Sequence, residues 1–224
     1  MAKYPEVGKP APNKKAPWHF HGSVPVAVDI EFTNLNPLLG EIFQFAAVPL
    51  NADYERREDI RPFYVNMKVE CLENVDWNGI AKASYNRGKF MEIQSVGVTA
   101  EKAQDMLCDW VQSLELAPDR RLCPIAANWP NDRPYIQSWL GDELFHNLFH
   151  PYYRDIISAV QFINDALVWQ GEPPDIRQCS VAALARFFNI SNPGHHDALN
   201  DSLVTAQIYK RLIETYSRGM RPRP

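Results

Sequence analysis

The sequence predicts an α/β fold in which a mixed sheet is flanked by helices, and three observations predict it. Three β-branched, apolar runs follow one another between Val24 and Val69, with turn-forming segments between them. After them a strand-like run at Leu122–Ala127 alternates with segments whose apolar residues recur every three or four positions. At 224 residues, 46% of them hydrophobic, the chain fills one core and falls short of two ordinary domains.

Residues 1–23 are rich in Pro, Lys and Ala without periodicity, so an extended N-terminal arm is expected there, a domain over 24–217 and a short basic tail over 218–224. The runs Val24–Phe32, Glu41–Leu50 and Ile60–Val69 read as an antiparallel meander, with turns at Asn34–Gly40 and Asn51–Asp53. Residues 70–98 are poorly patterned. Thr99 is placed to cap a helix whose apolar face is Ala103, Leu107, Trp110, Val111 and Leu114. Leu122–Ala127 reads as a buried strand, Pro134–Leu140 as a short helix and Tyr152–Ile157 as a strand or helix start. Helical spacing returns through Val181, Leu184, Ala185 and Phe188, and again from Asp197 to Tyr216. No internal repeat is present.

A formal charge of −4 argues against a broad basic surface that coats duplexes, so any contact with nucleic acid must be local. Positive charge gathers at the ends, in Lys3, Lys9, Lys14 and Lys15 and in Lys210, Arg211, Arg218, Arg221 and Arg223; solvated tails are expected, with phosphate-binding arms the alternative. Cys71, Cys108, Cys123 and Cys179 show neither a C-x-x-C pair nor metal-like spacing, which fits reduced, buried thiols and a cytoplasmic setting. The longest apolar stretch, Ile42–Leu50, is interrupted by Gln44 and too short to span a bilayer, so neither secretion nor membrane insertion is expected.

Chemistry enters with Asp29 and Glu31, set inside the apolar run Val-Ala-Val-Asp-Ile-Glu-Phe. Side chains two apart on a strand share a face, so both carboxylates point one way and Val28 and Ile30 the other. Two acids projecting together from an apolar strand repel each other, and a divalent cation offsets this; hard oxygen ligands favour Mg²⁺ or Mn²⁺. The alternative is an edge strand with a solvated acidic face. A second acid, Asp201, lies on the long C-terminal helix, where Leu199, Leu203, Ala206 and Tyr209 can face the core. A histidine five residues before it would be turned away by roughly 140° were both helical. His196 must therefore precede the first turn to share a site with Asp201, and Asn192-Pro193-Gly194 supplies the loop. The competing view makes His195 and His196 plain loop residues and Asp197 an N-cap.

These segments carry a resemblance. His196-x-Ala198-x-x-Asp201, between Ser180–Ile190 and Ala206-x-Ile208-Tyr209, is similar to the third motif of the DEDDh (DnaQ-like) 3′→5′ exonucleases. Val28-Asp-Ile-Glu-Phe-Thr-Asn-Leu, followed by Gln44-Phe45-Ala46, resembles their first motif. Asn128-Trp-Pro-Asn-Asp132 matches the Asn-x-x-x-Asp middle motif, and Tyr153–Ile157 resembles the strand that follows. The chain departs from the family at Asn131, where an aromatic is usual, with Pro130 and Pro134 on either side. Asp119 and Asp142 are alternatives to Asp132, but neither follows a buried strand.

The resemblance covers residues 24–216 and implies a ribonuclease H-like sheet, the meander continued by parallel strands. It implies an enzyme that releases nucleoside 5′-monophosphates from the 3′ end of DNA, single-stranded DNA being the expected form. Asp29, Glu31, Asp132 and Asp201 would hold two Mg²⁺ or Mn²⁺ ions about 4 Å apart, and His196 would take the proton from the attacking water. Phe32, Thr33 and Asn128 would lie beside the terminal nucleotide; Phe32 as a core residue and Asn128 as a strand-end cap are the alternatives. An oligoribonuclease-like enzyme on RNA 3′ ends, a catalytically silent module binding nucleic acid or a polymerase, and a hydrolase of free nucleotides are the competing functions. Oligomeric state is not readable from the sequence.

Overall fold

A computed structural model describes residues 23–82, 87–193 and 196–216. Most of the expected N-terminal arm, the basic tail and His195 lie outside the described residues. The expected meander is present. Strand β1 (Val24–Phe32) pairs antiparallel with β2 (Ile42–Pro49), and β2 pairs antiparallel with β3 (Phe63–Asn66). Strands β4 (Leu122–Ala126) and β5 (Arg154–Asp155) extend the sheet in parallel from β1, giving the order β3-β2-β1-β4-β5.

Eight helices flank this sheet among the described residues: α1 (Trp77–Lys82), α2 (Arg87–Val96), α3 (Ala100–Ser113), α4 (Trp129–Leu140), α5 (Asp142–Leu148), α6 (Ile156–Trp169), α7 (Val181–Phe187) and α8 (Ala198–Tyr216). Period-two alternation along β1 sorts its residues between two cores. Val24, Val26, Val28 and Ile30 pack with Phe45, Phe63 and Val65 under α3, α4 and α5. Ala27, on the opposite face, packs with Val48, Leu50, Ile125 and Ala206 under α8, with Leu199, Leu203 and Tyr209 alongside as the spacing required. A neighbouring cluster, including Ile156, Val160, Leu184, Val204 and Ile208, joins α6, α7 and α8.

Several helix starts follow their side chains. Thr99 accepts the Lys102 N–H and Ser180 the Ala183 N–H, each satisfying a donor the helix leaves open. Helix α4 begins at Trp129 rather than Pro134: Pro130 sits in the first turn, where its missing N–H is not needed, and Asn128 enters from a left-handed backbone at φ 68°. Pro134 lies inside the helix. Helix α6 escaped the pattern because apolar residues interrupt its polar stripe of Ser158, Gln161 and Asp165; Phe162 and Trp169 are 72% and 91% exposed. The poorly patterned segment after Val69 makes α1 and α2, held by a small core of Phe43, Val69, Val75, Ile80, Phe90 and Ile93.

Lys210 and Arg211 belong to α8 and not to a basic tail, and both pair with Glu214. The four cysteines are free; Cys123 is buried and the other three are half-buried. Among the described residues no helix is long and apolar enough to cross a membrane.

Candidate active site

Asp29 and Glu31 leave β1 on the face of Ala27, beneath α8, and the ladder to β2 breaks register between Glu31 and Phe32. Strand β4 ends at Ala126, one residue past the partner of Ala27, while the parallel β1 runs on to Phe32; loops and helix starts beyond such carboxyl ends form the natural crevice of an α/β sheet. Three more elements bring their residues to it. Beyond β4 the chain reverses at Asn128, and Asp132 enters from the first turn of α4. The start of that helix is fixed by Asp155, buried at the end of β5, which accepts the Trp129 N–H at 2.9 Å and the Ser158 N–H at 2.7 Å. One carboxylate thus ties the first turns of α4 and α6 together. Asp201 sits in the first turn of α8, behind the cap that Asp197 makes to the Asn200 N–H at 3.1 Å.

His196 precedes that helix, as the geometry demanded. Its backbone is left-handed at φ 64°, and its N–H donates to Asp201 Oδ2 at 2.9 Å. Donor atoms of Glu31, His196 and Asp201 lie within 4.8 Å of one another. All five expected residues, Asp29, Glu31, Asp132, His196 and Asp201, line one cavity of about 520 Å³.

Its electrostatics are those of several carboxylates crowded together away from water. Burial raises Asp29 well above the ordinary carboxyl range, and the charges of Asp132, Glu31, Asp201 and Asp197 raise it further. Burial and the same surrounding acids bring Glu31 to about 8, against a small opposing pull from Lys89. Asp132 is raised by burial and then by Asp155. Removing carboxylates from water beside other carboxylates is unfavourable unless a charge of opposite sign joins them. Asp132 Oδ2 is buried with no hydrogen-bond partner, which leaves an oxygen aimed for coordination. The residues therefore fit a divalent cation: the oxygen-rich set suits Mg²⁺ or Mn²⁺, and an imidazole nearby widens the choice toward Mn²⁺ and Zn²⁺.

The three expected substrate contacts separate. Phe32 lines the cavity, and its ring is stacked on Tyr135 with centroids 4.4 Å apart, so one side belongs to the core. Thr33 also lines the cavity, but its hydroxyl accepts the Glu41 N–H at 2.9 Å. Asn128 does not line it and serves the chain reversal into α4. Asp119 is exposed and pairs with Arg120, and Asp142 accepts from Gln137 on the outer surface. The cavity wall also includes Asp76, Gly79 and Ile80 of the segment around α1, and Ser180 and Val181 at the start of α7. The sequence reading missed these five. Leu35 stands at the rim, 76% exposed.

No protein-family model matches the sequence, and no curated protein matches it either. Solved structures do. The nuclease domain of 3′hExo, a DEDDh family member bound to rAMP, superposes with a TM-score of 0.62 at 15% identity, over 88% of this chain and 94% of that one. The fold is that of the DEDDh exonucleases. Escherichia coli exonuclease I, in a zinc-bound complex with single-stranded DNA, gives a TM-score of 0.68 at 16% identity. The cell-death related nuclease CRN-4 gives 0.61 at 17% identity. These matches cover 88% and 87% of this chain, which spans 41% of exonuclease I and 64% of CRN-4. The likeness of fold thus covers most of the chain.

Proposed function

We propose that the protein is a metal-dependent 3′→5′ exonuclease that releases nucleoside 5′-monophosphates from single-stranded DNA 3′ ends. The observation that carries this reading is the convergence of Asp29, Glu31, Asp132, Asp201 and His196, from separate elements, on one cavity. The DEDDh fold supports it, and so do the nucleic-acid and rAMP complexes of the structural neighbours.

Asp29, Glu31, Asp132 and Asp201 would hold two divalent ions, which when bound supply a nucleophilic water and neutralise charge on the scissile phosphate. Held outside the helix by its bond to Asp201, His196 would present its imidazole to that water and accept its proton; a group titrating near neutrality suits the task. Phe32 and Leu35 would give the terminal base an apolar surface, and Thr33 would shape the floor beneath it. The acidic cavity would attract a phosphate only once cations have reversed its potential, which reconciles a chain of net charge −4 with a polyanionic substrate.

The test is a panel of 5′-labelled single-stranded DNA, duplex DNA and short RNA, each incubated with Mg²⁺ or Mn²⁺. The reading expects a ladder shortened one nucleotide at a time from the 3′ end, strongest on single-stranded DNA. A stronger ladder on RNA would make the enzyme an exoribonuclease, since discrimination rests on the 2′-hydroxyl. No ladder on any substrate would overturn the activity and favour a binding module.

A further inference from the structure

The turn that carries His196 is fastened to the far edge of the sheet by a hydrogen-bonded chain that the hydrolytic site does not itself require. On the face that presents Asp29 and Glu31, the sheet register aligns two rows: Asp29, Ala46 and Tyr64, and Glu31, Gln44 and Asn66. Gln44 is buried, 2% exposed, and its amide donates to Asn66 Oδ1 at 2.9 Å and to Tyr64 Oη at 2.7 Å. With that donor on its oxygen, the Tyr64 hydroxyl directs its own proton to Asp197 Oδ2, at 3.2 Å across a sequence separation of 133 residues. Asp197 is then held from three sides. Its other carboxylate oxygen caps Asn200 at 3.1 Å, and its carbonyl accepts the Asp201 N–H at 2.8 Å. One residue earlier stands His196, in a left-handed conformation uncommon outside glycine, with its N–H on Asp201 Oδ2.

A backbone in that region is kept only where its surroundings over-determine it. The Asp201 bond fixes one end of the turn, and the Tyr64–Asp197 bond fixes the other against β3. We propose that Tyr64 is a positioning residue that holds His196 at the cation site through Asp197, with Gln44 orienting the tyrosine hydroxyl. Burial and the neighbouring Asp197 carboxylate raise the Tyr64 hydroxyl above its usual range, so it remains a donor throughout the neutral range. The kinetic consequence rests on the exonuclease reading; the placement of His196 does not.

The experiment compares wild type, Tyr64→Phe, His196→Ala and the double variant, with thermal unfolding measured on each. Tyr64→Phe keeps the ring and removes the hydroxyl, so the fold is expected to survive. In the presence of Mn²⁺, kcat is expected to fall on the order of 10- to 100-fold, as for partners that orient residues of a metal site, with KM little changed. In the His196→Ala background the same substitution is expected to add no further loss, because the tyrosine acts through the histidine. Independently of activity, the His196 imidazole proton signal, assigned by its disappearance in His196→Ala, is expected to broaden on adding Mn²⁺ to wild type and much less in Tyr64→Phe. Unchanged kcat, an equal loss in both backgrounds, or equal broadening would overturn the proposal. Should wild type cut no 3′ end, the exonuclease reading falls and the broadening measurement alone decides the role of Tyr64.

Discussion

The two faces of the central strand differ in what they are built for. One face of β1, Val24, Val26, Val28 and Ile30, packs into an apolar cluster under α3, α4 and α5, and only Ile30, at its end, reaches the cavity wall. On the other, Ala27 is followed by Asp29 and Glu31, and the covering helix α8 brings Asp201 to meet them. The first face supplies stability through packing, and the second holds like charges that burial makes unfavourable. One strand therefore carries the core and the site, separated only by the period-two alternation of its side chains.

The strongest way to sharpen this contrast is to substitute on each face. His196→Ala, on the acidic side, is expected to lower kcat by a factor on the order of 10² to 10⁴ while leaving the unfolding temperature close to that of wild type. Phe45→Ala, on the apolar side, should cost about 3 to 5 kcal/mol of stability, and the molecules that remain folded should cut at the normal rate. Chemical denaturation and steady-state kinetics on the same samples check both. A drop in activity per folded molecule for Phe45→Ala would break the division.

A second test uses pH. Glu31 is raised to about 8 from an ordinary value of 4.5, and Asp29 and Asp132 are raised in the same direction. Groups with raised values in the folded chain bind more protons there than in the unfolded chain. Their contribution is therefore fully present below the unfolded values and is lost as pH climbs through the folded ones. Metal-free protein is expected to lose thermal stability between about pH 4.5 and 8, and the stabilisation gained on adding Mg²⁺ or Mn²⁺ should grow over the same window. Differential scanning calorimetry with and without EDTA reads both curves. Asp132→Asn, which removes a buried charge, should flatten the metal-free curve and abolish much of the metal's effect.

Much of this arrangement was legible in the sequence, and the reasons are physical. The meander could be read because apolar runs and turn residues are local signals, and Asp29 and Glu31 because strand periodicity alone fixes their common face. His196 could be placed before the helix from the helical angle it would otherwise make with Asp201. Helix α4 was harder: Pro130 looks like a break until Asp155, 25 residues beyond it, is seen taking the Trp129 N–H. The wall formed by Asp76, Gly79 and Ile80 depends on a small core closed by Phe43, from a different strand, and no local pattern announces it. Tyr64 was invisible for the same reason, since its partner Asp197 is 133 residues away.

The smallest effects come from the helix starts. Thr99→Ala removes the cap of α3, on the apolar side, and should lower stability by about 1 kcal/mol without touching activity. Asp155→Ala removes the cap of α6 and at the same time frees the start of α4. It should lower stability by a similar or larger amount, about 1 to 2 kcal/mol, and reduce activity as well, because Asp132 rides on α4. Equal activity in these two variants would dissolve the link between Asp155 and the site.

The most direct test of the central claim is anomalous scattering from a crystal soaked in Mn²⁺. The claim predicts metal peaks within bonding distance of carboxylate oxygens from Asp29, Glu31, Asp132 and Asp201, absent from Asp132→Asn crystals at the position that residue supplies. A wild-type crystal with no peak in this cavity, or with Mn²⁺ bound only elsewhere on the surface, would contradict it.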